Sequence, residues 1–528
     1  MPLSDLETSE IEIPAVSDSL FQLKSGAFPD PRLLAPNTDS YLDQYHRIEN
    51  WEGVQIWKTQ EQLAEVKSAY YGKNDIGEAV SRQYQWMHDL ERHSKLVGRP
   101  NELDSVALEG VHKEIKKHYE ECTDHIKRSL MGQNIQEAFK AIYTAIIFGR
   151  HIYIEGSSGI GKTAVARAMC QFLSMPYRQF DAYADASDLA LLGGEVPQSD
   201  PKLGLKFIFE RGPVLTPGLI SLVIDELPRL PASTSNVLLQ AMAERKVSVS
   251  LVASGRGTAT ILLSPAFTVI GTGNPVGYGG QGERSLALFD RFDIGIEMAH
   301  PSALARLQIM RSVSTPSSVG MAKEVSPEFT LFEARELLNN VTFPGALRPI
   351  LIMSSYAISP DDFLAQTYTE DPFASRFASM DTGTLDANER ATWSAAQAFI
   401  KQNRAEYEKL RELVNDSLVE GSNPRGEISA IKNAQAISLL DWNMKLENQR
   451  THEKIPPFIS LSSLSQGFKW ANMARLKTHP GSEKQKAKII DQACKLFFSR
   501  EKWDKAMQKQ DISRDDLGYE WATETITQ

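Results

Sequence analysis

Two rhythms of apolar and polar positions divide the chain. From about residue 130, short β-branched or apolar runs alternate with segments of helical spacing. They are HIYIEG (151–156), KTAVARAMCQFLSM (162–175), SLVIDEL (221–227), STSNVLLQAMAERK (233–246) and AFTVIGTGN (266–274). A β-α-β-α order of this kind predicts a parallel sheet with helices on both faces. Helical spacing takes over from 300 to 360, breaks across an irregular stretch at 360–400, and returns at 389–447 and from 462 onward. Upstream, residues 41 to 125 are polar and aromatic with helical stretches at 59–72 and 75–98. Residues 1–40 are rich in Pro, Ser and Asp and lack periodicity. The expected division is therefore an arm (1–40), a helical amino-terminal domain (41–128), an α/β domain (129–300), a helical domain with an insertion at about 360–420 (301–475), and a helical extension (476–528).

Composition narrows the class. The 528 residues are 42% hydrophobic and 23% charged, which suits a folded chain of several domains. A net charge of -10 argues against non-specific coating of nucleic acid but leaves room for a local basic channel. Cys122, Cys170 and Cys494 are too few and too odd in number for a disulfide framework, which favours a reducing compartment. The acidic start lacks the features of a secretory signal, and the longest apolar candidate (AIYTAIIFG, 141–149) is too short to span a bilayer. A cytoplasmic location is expected.

The densest chemistry lies at GSSGIGKT (156–163). This is Gly, any four residues, Gly, Lys and Thr, between an apolar strand and an amphipathic helix. Gly156, Gly159 and Gly161 permit a tight turn that points backbone amides at phosphate oxygens. Ser157, Ser158, Ile160 and Ala164 supply the rest of that cradle, and the following helix adds its positive end. Lys162 would reach the β- and γ-phosphates, and Thr163 would offer a hydroxyl to Mg²⁺. A second element, LVIDE (222–226), ends an apolar strand in two carboxylates. Asp225 would hold Mg²⁺ through water and Glu226 would polarise an attacking water. Acidic pairs also end ordinary strands, so this element takes its meaning from the phosphate loop. Asn274 closes the next apolar run, where ligands sit in open α/β sheets, although Pro275 behind it also favours a plain turn there.

Taken together, the segments 131–163, 211–249, 266–293 and 421–442 resemble the MoxR branch of the AAA+ ATPases. The Gly-Pro ahead of the acidic strand, Asp-Glu-Leu-Pro-Arg at its end and the later Asp-Arg-Phe carry the resemblance. It implies an α/β P-loop three-layer sandwich with a parallel sheet, followed by an α-helical lid and flanked by helical extensions. It also implies Mg²⁺-dependent hydrolysis of ATP. Asn274 matches the family's sensor 1. Arg291, in Asp290-Arg291-Phe292, matches an arginine finger acting on a neighbour's ATP, which implies a homo-oligomeric ring, with a hexamer expected. Arg425, in Asn423-Pro424-Arg425, matches sensor 2, which would touch the γ-phosphate of its own subunit. Arg348 (FPGALRP, 343–349) is a rival for that role. Two departures stand out: Leu227 and Pro228 precede Arg229, and GYGGQG (277–282) is unusually rich in glycine. The latter also fits Gly-x-Gly-x-x-Gly, but no helix opens there, so a dinucleotide site is rejected.

The resemblance further implies channel-facing loops near 191–207 and 247–263. Lys202, Lys206 and Arg256 there would suit a polyanion, though ordinary solvated lysines and arginines look the same. His118, Cys122 and His125 share one helical face and would suit a metal only with a fourth ligand, which is not evident. Four uses of the cycle follow: remodelling a client protein, such as one with a von Willebrand A domain; driving nucleic acid; serving a metal chelatase; or acting as a nucleotide-gated scaffold.

Overall fold

The computed structural model describes residues 105–512 except 130–132, 174, 176, 201–203, 217–218, 252, 254–256, 264–265, 276–284, 301–330 apart from 303 and 306, 362–363, 365–384 and 443–456. The expected arm, most of the amino-terminal domain, the 277–282 glycine loop and the positions of Lys202 and Arg256 lie outside the described residues.

Five strands form one parallel sheet: β1 (Ile152–Gly156), β2 (Tyr177–Asp181), β5 (Ser221–Asp225), β8 (Thr268–Gly273) and β9 (Ile294–Met298), in the spatial order β2-β5-β8-β1-β9. Central strands β1, β5 and β8 read as nearly unbroken apolar or small runs because both faces are covered. Alternate residues serve the two faces. Ile152, Ile154, Val223, Ile270 and Ile294 join one core with α2 (Gln133–Phe148) and α3 (Lys162–Phe172). Tyr153, Leu222, Ile224 and Val269 join a second core with α5 (Ala232–Glu244), the short α6 (Leu286–Phe289) and Phe292. The result is the three-layer α/β sandwich that the strand and helix rhythm predicts.

Two hairpins leave this sandwich. After α4 (Asp188–Leu192), β3 (Gly193–Asp200) pairs antiparallel with β4 (Gly204–Arg211). Ahead of β8, β6 (Lys246–Leu251) pairs with β7 (Gly257–Leu262). Their positions coincide with the two channel-facing segments implied by the resemblance. The hairpins meet where Glu195 accepts the Ala253 backbone N–H at 2.7 Å.

The helical part comprises α7 (Leu331–Leu338), α8 (Leu347–Ala357), α9 (Ala387–Gln402), α10 (Arg404–Ser417), α11 (Pro424–Asp441), α12 (Leu461–Arg475), α13 (Gln485–Phe497) and α14 (Arg500–Gln508), with a small ribbon of β10 (Leu418–Glu420) and β11 (Lys477–Thr478). Helices α11 and α12 cross closely at Gly467, where a Cβ would collide with the Ala430 carbonyl oxygen. Helix α12 seats on the edge strand β9 at Gly295, where a Cβ would collide with the Ala474 backbone nitrogen. Phe399 of α9 stacks on Trp503 of α14 with centroids 4.1 Å apart. The stretch expected to be an insertion thus contributes core helices, and residues beyond 476 share their core. Helix α1 (Ser105–Ser129) joins the same core through Ile115 and Cys122. The boundary drawn at 128/129 falls at the last residue of α1, and the one at 475/476 falls at the end of α12. Among the described residues no helix is long and apolar enough to cross a membrane.

Candidate functional site

The phosphate loop gets its shape from two glycines. Gly159 (φ 77) and Gly161 (φ 88) are left-handed, where a side chain would be strained. Both α-carbons face open space, and a Cβ at either would meet nothing within 4 Å. Gly156 is needed for another reason. A Cβ there would stand 2.6 Å from the Met298 backbone oxygen on β9. Helix α3 then opens at Lys162 and points its amino end into the loop.

Lys162 is buried and converges on the loop from inside. Its Nζ donates to the carbonyl oxygens of Gly156 (2.8 Å) and Ser157 (2.9 Å) and to Asn274 Oδ1 (3.0 Å). Burial pulls the pKa of this ammonium down, and the nearby carboxylates of Asp225, Glu226 and Glu155 oppose that pull. One residue on, the Thr163 hydroxyl donates to Asp225 Oδ1 at 2.6 Å. Strands β1, β5 and β8 thus deliver Lys162, Thr163, Asp225 and Asn274 to one place at their carboxyl ends.

Thr272, which the motifs do not single out, also donates to Asp225 Oδ1, at 2.5 Å. It lies two positions before Asn274, so strand alternation puts both on one face; that spacing was the available signal. Glu226 adopts a left-handed backbone (φ 53, ψ 41), uncommon for a residue with a Cβ. Its carboxylate pairs with Arg229 at 2.7 Å. The Leu-Pro between them forms a 3-10 turn, Leu227–Arg229, that buries both apolar side chains and brings Arg229 back over Glu226. The departure from the family text has a structural use. Gly273 must lack a Cβ because it would collide with Tyr153 Oη and stand 2.8 Å from Pro228 Cδ.

These residues fit a magnesium-bound triphosphate. Amides at the opened glycines and the helix end suit phosphate oxygens, Lys162 suits their charge, and the Thr163 hydroxyl with the Asp225 carboxylate forms the hard oxygen set magnesium prefers. The metal reading of helix α1 has no such support. His118 contacts Tyr143 Oη through Nδ1 (2.8 Å) and Cys122 Sγ through Nε2 (3.8 Å), under α2. No cluster of three or more His, Cys, Asp or Glu suited to a metal occurs among the described residues.

Arg291 and Arg425 sit elsewhere. Asp293, two residues past Arg291, accepts the His151 backbone N–H at 3.3 Å, which fixes this loop at the amino end of β1. The phosphate loop begins at the other end, about 15 Å away at ~3.3 Å per strand residue. Asn423 caps α11 by accepting the Gly426 N–H at 2.9 Å and donates to Asp290 at 2.9 Å. Pro424 occupies the first turn, so Arg425 projects from the amino end of a helix, which repels a cation. Asp290 offsets this by accepting from Arg425 and also from Arg475, at 3.3 Å. The Arg291 Nε beside them is buried with no hydrogen-bond partner among the described residues. Arg425 is therefore not among the groups at its own phosphate loop, where the resemblance had put it. Its rival Arg348 is engaged by Glu389 of α9 at 2.7 Å and lies over the Phe343 ring.

The strand order, the left-handed glycines and the Lys162–Thr163–Asp225–Asn274 convergence define a P-loop nucleotide-binding domain of the AAA+ class. Residues 151–294 match the model of the ATPase family associated with various cellular activities (AAA). The curated relatives include the uncharacterized protein YeaC of Bacillus subtilis, 26% identical over 219 residues (41% of this chain, 64% of YeaC). Another is the chaperone MoxR1 of Mycobacterium tuberculosis, 25% identical over 216 residues (41% of this chain, 52% of MoxR1). The match spans less than two thirds of either relative. A crystal structure of a Cytophaga hutchinsonii protein superposes with a TM-score of 0.51 at 18% identity, covering 74% of this chain and 97% of that one, and shares the fold. The nucleotide-binding domain is of the MoxR type of AAA+.

Proposed function

We propose that the chain hydrolyses ATP with magnesium and spends the cycle on remodelling a partner protein, as one subunit of a cytoplasmic ring, expected to be a hexamer. The observation that carries the reading is the convergence of Lys162, Thr163, Asp225 and Asn274 at the carboxyl ends of three strands. Lys162 and the loop amides would bind the phosphates. Thr163 and Asp225 would hold magnesium, which when bound shields phosphate charge. Asn274 would orient the water that Glu226 polarises.

Arg291 and Arg425 share one carboxylate-lined patch a strand's length from their own phosphate loop. Both guanidiniums are best placed to serve a neighbour's γ-phosphate, and this supports a ring over a self-sufficient monomer. The name of the mycobacterial relative supports a protein client, and the family resemblance makes a von Willebrand A domain the first partner class to try. The test is a pull-down with Glu226→Gln in ATP. Retention of a specific protein only in ATP supports the remodelling reading. Retention of nucleic acid instead, or of nothing, overturns it.

A further inference from the structure

A charge under the phosphate loop is met from far along the chain. Glu155 directly precedes Gly156 in β1, between Gly273 of β8 and Glu297 of β9. Lys486 of α13 donates to Glu155 Oε2 at 3.0 Å across 331 residues. Both side chains are buried, 7% and 9% exposed. Neither position suits its charge on local grounds. Glu155 stands inside a sheet, and Lys486 stands in the first turn of a helix, whose dipole disfavours a cation. A buried pair of this kind adds little stability over an apolar pair of the same size.

Its position does more than its stability. The carbonyl of Gly156, next to Glu155, accepts from Lys162, and the Glu155 charge acts on the Lys162 ammonium. Deprived of Lys486, the Glu155 carboxylate would draw Lys162 inward and repel an incoming triphosphate through a medium of low dielectric.

We propose that Lys486 is a positioning residue for nucleotide: its ammonium offsets the Glu155 carboxylate beneath the phosphate loop, leaves Lys162 to the phosphates, and ties α13 to the cradle. The inference rests on the nucleotide reading above. It extends the working site to a helix outside the matched segment 151–294.

Calorimetric titration of the full chain with ATPγS and with AMP tests it, with thermal unfolding in parallel. Lys486→Met is expected to weaken ATPγS binding about tenfold and AMP binding much less, because the effect follows phosphate charge. The double variant Glu155→Gln/Lys486→Met is expected to regain wild-type affinity. Glu155→Gln alone is expected to bind ATPγS at least as tightly as wild type, and it carries the test should Lys486→Met fail to fold. A folded Lys486→Met with wild-type affinity overturns the inference and leaves the pair a structural link only. So does a weak-binding Glu155→Gln, or a double variant as weak as Lys486→Met. A wild-type chain that takes up neither nucleotide sinks the ATPase reading itself.

Discussion

The Thr163 hydroxyl donates to Asp225 Oδ1 at 2.6 Å, joining the first turn of α3 to the end of β5 across 62 residues. The same oxygen receives Thr272, so three chain segments meet at one carboxylate. A carboxylate held by two hydroxyls is fixed in direction, and that direction is toward the phosphate loop.

Glu226 sits beside this anchor in a left-handed backbone, and two substitutions separate its roles. Glu226→Gln is expected to lower ATP turnover on the order of a hundredfold while nucleotide still binds. Glu226→Gly relieves the backbone and is expected to raise stability by about 1 kcal/mol with activity lost all the same. Steady-state hydrolysis and urea unfolding measure the two. Wild-type turnover in Glu226→Gln would rule out its assigned role.

Mixing tests whether the arginines act between subunits. Lys162→Ala disables a subunit's own cradle and keeps its arginines; Arg291→Ala does the reverse. Each alone is expected to lose hydrolysis by at least about a thousandfold. An equimolar mixture is expected to recover measurable activity, because an Arg291→Ala cradle can then face the unaltered Arg291 of a Lys162→Ala neighbour. A mixture as inert as its components contradicts action in trans.

Asp290 holds Asn423, Arg425 and Arg475, and the Arg475 side chain is only 2% exposed. Burial works against that guanidinium's charge, and the Asp293 and Asp290 carboxylates support it. Asp290→Ala would leave Arg475 buried with less compensation and is expected to cost about 3 kcal/mol in chemical unfolding. An unchanged unfolding midpoint would show that the lid does not depend on this carboxylate.

His151 gives a pH dependence. Burial, with Arg245 alongside, pushes its pKa from 6.5 down to about 3, against opposing effects from Asp293 and the Met242 carbonyl. Its Nδ1 accepts the Val269 N–H at 3.0 Å, which a protonated ring cannot do. The folded pKa is depressed, so between these values the unfolded chain binds the extra proton. The stabilisation is complete above pH 6.5 and falls on acidification by about 1.4 kcal/mol per unit, or about 2 kcal/mol by pH 5. Unfolding free energies between pH 7 and 5 should show this slope in the wild type and lose it in His151→Gln. Parallel slopes would contradict the assignment.

Much of the site was legible because its parts are local. A strand, a glycine turn and a helix occupy 151–172 without a break, and the Asp-Glu and Asn positions each close an apolar run. Other parts were not legible because their partners lie far off in the chain. Nothing in QKAKIIDQACKLF hints that Lys486 reaches β1, and the Asn-Pro-Arg text does not reveal that a carboxylate 135 residues away holds Arg425. The stretch at about 360–420 reads as an insertion in the sequence, because Phe399 within it finds its stacking partner, Trp503, only far along the chain.

By itself, then, the sequence determined the α/β sandwich and the phosphate loop, since apolar alternation and glycine freedom act over a few residues. Tertiary structure alone decided which end of the sheet each arginine occupies, and which ammonium answers Glu155. Those choices depend on how α11, α12 and α13 dock against β9 and β1, and docking is set by packing between segments hundreds of residues apart.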